Sequence, residues 1–120
     1  MSIDVGQLVN EIKTAASGVL TADIATVRGF SQRQLEAIAL QTHVVATGIA
    51  TNNISPELQD FFLDGLKDMV TNFTRTLKGL MAVTIEKIWN AVVGAVWNAL
   101  STAIGTVLPI PKAAGTIPAP

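Results

Sequence analysis

Residues 54–58, Ile54-Ser55-Pro56-Glu57-Leu58, read as a helix start, and the run that follows them decides the fold. Ser55 is the expected N-cap, Pro56 takes the first helical position where its missing N–H costs nothing, and Glu57 meets the positive end of the helix dipole. No proline recurs until Pro109. Across that span Leu58, Phe62, Leu66, Met69, Phe73, Leu77, Leu80, Thr84, Ile88 and Val92 keep a helical period with few lapses. The pattern allows one helix of up to about 50 residues, roughly 75 Å long. Gly65, Gly79 and Gly94 each cost about 1 kcal/mol relative to alanine, so a break near Gly79 is equally expected. The two segments are then 56–80 and 82–107, continuous or gently kinked.

Upstream, Ser2 can cap a helix over about 3–27 whose apolar series is Val5, Leu8, Val9, Ile12, Ala16, Val19 and Leu20. Gly18 is a place where that helix can break before continuing through Ile24 and Val27. Arg28-Gly29-Phe30 reads as a turn, and Ser31-Gln32-Arg33-Gln34 matches the reciprocal capping box. The next helix, about 32–52, carries the stripe Leu35, Ile38, Thr42, Val45 and Ile49 and stops at Asn52-Asn53. No strand pattern competes, so the fold class is all-α with three to four helices. Pro109, Pro111, Pro118 and Pro120 make an extended, proline-rich C-terminal tail. The organisation expected is an amphipathic bundle region over 1–80, an apolar membrane or assembly helix over 81–108, and the tail over 109–120.

Charged residues make up 14% of the chain against roughly 25% in an average domain, so surface is expected to be hidden in lipid or in copies of the chain itself. Net charge is −1 and the eight basic residues stand singly along the sequence, which offers no stripe for a phosphate backbone and points away from nucleic acid. Cysteine is absent, which excludes disulfides and thiolate chemistry. Residues 1–5 show no basic or apolar run of a secretory signal.

Little in the chain suggests catalysis. His43 is the lone histidine and has no second ligand at helical spacing. Glu57, Asp60, Asp64 and Asp68 share one helix face, a geometry that cannot converge oxygens on a cation, so they read as a solvated face with Lys67 a weak partner of Asp64. Phe61, Phe62, Phe73, Met69 and Met81 read as bundle core. No phosphate loop, nucleophile elbow or metal motif occurs. No catalytic residue, metal, cofactor or small-molecule substrate is expected.

The informative element is 82–108. On a helical wheel Asn90, Gly94, Asn98, Ser101 and Gly105 form a narrow polar-to-small stripe, expected to contact a second helix. Trp89, Val92, Val93, Val96, Leu100 and Ile104 form the broad apolar face, expected to meet a membrane or a partner. Replacing Gly94 with leucine is accordingly expected to disrupt self-association more than replacing Val96 with leucine. If the helix spans a bilayer, Arg75, Lys78 and Lys87 before it against Lys112 after it favour a cytoplasmic N-terminal side. Against spanning stand two asparagines and a central Trp97. Ala91, Ala95, Ala99 and Ala103 offer instead a ridge for close packing against protein.

The function expected is therefore that of a non-enzymatic membrane-associated or assembly protein. A small structural component of a larger particle, such as a virion or envelope complex, acting as a homo-oligomer or within a larger assembly, fits the composition. The alternative is a soluble amphipathic surface-coating protein in the style of phasins, or an oligomeric helical bundle. No motif ties the chain to the phasin family.

Overall fold

The structure, a computed structural model, describes residues 3–106 and 108–111. Ser2, expected as a cap, and the tail beyond Pro111 lie outside the described residues. Among the described residues there are four α-helices and no strand. They are α1 (Val5–Leu20), α2 (Gln32–Ala50), α3 (Pro56–Thr76) and α4 (Ala82–Ile104), with one short 3-10 turn at Ile24–Thr26. The chain is all-α, as its periodicity predicts.

The helix ends differ from expectation in instructive ways. Asp4 caps α1, its carboxylate accepting from the Gln7 N–H at 3.0 Å. The helix does not reach residue 27. It stops at Leu20, where Thr21 turns left-handed with φ 54°, and the Ser17 hydroxyl accepts from the Ile24 N–H at 2.9 Å to begin the 3-10 turn. Gly18 stays helical. Ser31 caps α2 through its hydroxyl, accepting from the Gln34 N–H at 3.2 Å. The expected reciprocal arm of that box is turned elsewhere, since the Gln34 side-chain oxygen lies 3.3 Å from the Thr76 hydroxyl of α3, whose proton it shares with the Phe73 carbonyl at 2.7 Å. Asn52 takes the left-handed stop with φ 60°. Ser55 precedes α3 without a side-chain capping bond, so Pro56 marks the start by its fixed φ alone.

The long helix is broken. Gly79 is left-handed with φ 78°, and residues 77–81 reverse the chain between α3 and α4. Gly105, φ 82°, ends α4 by donating to the Ser101 carbonyl at 2.9 Å.

Short connections make the helices run up and down. Both α2 and α4 pack against all three of their neighbours, with α1 and α3 on the flanks. The core layers are Leu8, Ile12 and Ala16 of α1, Leu35, Ile38, Thr42 and Val45 of α2, and Leu66, Val70 and Phe73 of α3 around the middle of α4. Phe30 of the first loop meets Phe73 edge-on with centroids 6.0 Å apart. The Lys78 N–H donates to the Arg28 carbonyl at 2.8 Å, which ties the α1–α2 loop to the α3–α4 loop at one end of the bundle. The α2–α3 loop, the start of α1 and the end of α4 therefore share the opposite end.

Both tryptophans are inside, Trp89 at 0% and Trp97 at 3% exposure. Their emission is expected to be blue-shifted and poorly accessible to acrylamide in plain buffer. Lipid vesicles should leave that spectrum unchanged. A solvent-like spectrum that shifts only when vesicles are added would contradict this packing.

Candidate functional site

The broad apolar face of α4 is the middle of the protein's own core. Trp89, Val92, Val93, Val96 and Leu100 are buried, together with Ile85, Ile88 and Trp97, and Ile104 is half-buried against them. The Trp89 indole N–H donates to the Thr71 hydroxyl of α3 at 3.0 Å, which satisfies its polar edge within the chain. No helix among the described residues is long and apolar enough to cross a membrane. The bilayer-spanning arrangement expected as one environment for 82–108 therefore has no helix to carry it. The apolar face is covered by α1, α2 and α3 of the same molecule.

The polar-to-small stripe lies on the outer side. Asn90, Asn98 and Gly105 are exposed and Gly94 and Ser101 half-buried. A Cβ at Gly94 would meet nothing within 4 Å among the described residues, so no neighbouring helix approaches closely there. Ser101 is used locally, its hydroxyl accepting from the Leu108 N–H at 3.1 Å. Asn98 faces a shallow cleft of about 240 Å³ between α1 and α4, across from Asp4, Gln7 and Glu11. The alanine ridge is half-buried throughout, and Ala99 and Ala103 line that same cleft, so the close partner of the ridge is α1.

The residues left uncovered lie elsewhere. A groove of about 470 Å³ runs between α2 and α3, lined by Gln41, Phe61, Phe62, Gly65 and Met69, with Asp64 and Asp68 on its rim. Phe61 is 69% exposed and stands edge-on to Phe62 at 5.5 Å. Leu58 on α3 and Leu40 and Val44 on the outward side of α2 are exposed as well. Phe61 and Met81 thus depart from the core role expected of them, whereas Phe73 is buried and Phe62 and Met69 are half-buried. The reason is angular. Consecutive residues on a helix diverge by about 100°, so Phe61 and Phe62 cannot both face inward. That adjacency was the available signal. Gly65 deepens the groove, since a Cβ there would meet nothing within 4 Å among the described residues.

The remaining polar groups among the described residues are spread over separate faces. Glu57, Asp60, Asp64 and Asp68 are exposed along one side of α3, with Lys67 at 3.9 Å from Asp64. His43 is half-buried on α2, its Nδ1 shielded from solvent with no hydrogen-bond partner among the described residues. No group of three or more metal-type side chains occurs among the described residues. On the far side of α3, Lys67, Asp68, Asn72 and Arg75 surround Thr71 and the edge of Trp89 in a polar hollow. Compared with family models, with curated proteins and with solved structures, the chain matches none.

Proposed function

We propose that the chain is a non-enzymatic assembly module, a self-supporting four-helix bundle that joins other protein through the face between α2 and α3. The observation that carries this reading is Phe61, 69% exposed in the α2–α3 groove beside the half-buried Phe62 and Met69, in a chain whose other large apolar side chains are mostly packed inside. Contiguous exposed apolar surface with a polar rim is the mark of an interaction site, whereas singly scattered residues are not. An exposed phenylalanine in a concave site, with carboxylates around it, suits an aromatic or aliphatic anchor from a partner. A role within a larger particle, such as a virion or envelope complex, is supported by the low charge content together with this face.

The test is site-specific photo-crosslinking in cells. A benzophenone-bearing phenylalanine analogue in place of Phe61 is expected to give discrete protein adducts, while the same analogue in place of Asn10, exposed on α1, gives none. Equal labelling at both positions, or none at either, would sink the proposal.

A further inference from the structure

The topology gathers charges that the sequence scatters. Arg28, Arg33, Arg75, Lys78 and Lys87 come together around the end where the α1–α2 and α3–α4 loops meet, and outnumber Asp23, Glu36 and Glu86 there. From the opposite end to just past its middle, the first four turns of α3 bear Glu57, Asp60, Asp64 and Asp68 against Lys67. Lys67–Asp64 is the one ion pair among the described residues. The basic cluster and the other carboxylates are thus left to solvent. Each pole also carries exposed apolar side chains. At the basic end Met81 is 72% exposed and Val83 is exposed beside it, and at the acidic end lie Phe61 and Leu58.

We propose that these poles recognise each other: the Met81–Val83 tip of one copy docks into the α2–α3 groove of a second copy. This rests on the reading of that groove as a docking face. Three features favour a second copy. Lys78 stands three residues before Met81 at the tip and Asp64 and Asp68 rim the groove, so opposite charges meet around an apolar centre. Methionine is unbranched and adapts to an irregular hollow, and Gly65 leaves that hollow open beside Phe61. A lipid surface could take the basic tip, but it would leave the groove uncovered. Tip and groove are different surfaces, so the contact is heterologous. It repeats from copy to copy and yields open chains, not a closed dimer.

Sedimentation velocity across a concentration series tests this. The full chain is expected to grow beyond a dimer as concentration rises and to fall back toward monomer as salt is raised, because the rim charges are solvent-exposed. Phe61→Glu spoils the groove and Met81→Glu spoils the tip, and both sites are exposed, so circular dichroism should show each variant folded. Each variant alone should be monomeric. Their equimolar mixture should recover a dimer and stop there, since one competent groove and one competent tip remain. A chain that is monomeric at every concentration, or a salt-insensitive dimer lost only in Phe61→Glu and not recovered on mixing, would overturn the proposal.

The photo-crosslink at Phe61 separates this failure from that of the docking reading. An adduct with the mass of two copies supports self-docking. An adduct with a different protein overturns self-docking while the docking face stands, and so does a link to residues 112–120 of the same chain. Binding of phosphatidylserine vesicles that Met81→Glu abolishes, without self-association, assigns the tip to lipid and likewise overturns it.

Discussion

Trp89→Ala is expected to remove about 3–5 kcal/mol of folding stability, the range for truncating a large buried aromatic. Trp89 is fully buried at the centre of the bundle and its indole N–H donates to Thr71 Oγ1 at 3.0 Å, so truncation leaves both a cavity and a hydroxyl short of a donor. Against a total stability of roughly 5–15 kcal/mol for a single domain, that is about a fifth of the whole or more. Trp89→Phe keeps most of the volume and should cost less, with about 1 kcal/mol of it from the lost hydrogen bond. Urea titration followed by circular dichroism measures both, and Trp97 remains as a fluorescent reporter of the core. A tryptophan serving a membrane or a partner would behave in the opposite way. Its replacement would leave stability in buffer untouched, and that result would overturn the burial of α4 described here.

A second large effect is expected at Gly29, paired with a change of opposite sign at Gly94. Gly29 has φ 85°, and a Cβ there would stand 1.7 Å from the Thr76 carbonyl oxygen and 2.8 Å from its carbon. Those atoms are backbone, so nothing flexible can give way. Gly29→Ala therefore combines a left-handed penalty of roughly 1–2 kcal/mol with a forced separation of the two loops worth roughly 1–3 kcal/mol more. The melting temperature should fall by about 10 °C or more. Gly94 lies mid-helix with open space where its Cβ would be, so Gly94→Ala should gain up to about 1 kcal/mol from helix propensity alone. Differential scanning calorimetry on the two variants reads both signs. A destabilised Gly94→Ala would mean that the outer stripe of α4 is already occupied by another chain.

The same geometry sets what the two leucine substitutions do to folding. Val96 is completely buried, so Val96→Leu overpacks the core, while Gly94→Leu extends into open space. Folding is the property that Val96 controls. What Gly94 controls between molecules is a separate matter from folding.

Helix existence and type were legible because they depend on near neighbours. Periods of three and four residues in α1 and α2 mark the faces that end up buried, and Ser31, Pro56, Asn52 and Gly79 act within a turn of where they stand, whereas Gly105, read as part of a contact stripe, ends α4 three residues short of the expected 107. Local signals failed where a distant residue competed for the same group. Gln34 reaches Thr76, 42 residues away, and leaves its half of the capping box, while Ser17 takes the Ile24 N–H and helps end α1 early.

By itself the sequence determined that this is an all-helical chain with a C-terminal helix whose broad face must leave water. Hydrophobic patterning states that demand, because transfer of apolar surface is favourable whatever receives it. Only the tertiary structure decided what receives it. Three flanking helices of the same chain surround Trp89, Val92, Val93 and Val96, and the apolar surface left over includes Phe61 and Leu58 of α3, Leu40 and Val44 of α2, and Met81 and Val83 at the start of α4. Likewise the eight basic residues look scattered in sequence, and it is the antiparallel reversal at each loop that brings Arg28, Arg33, Arg75 and Lys78 to one end. Burial partners and charge poles arise from contacts between residues far apart along the chain, and no local period or cap encodes those.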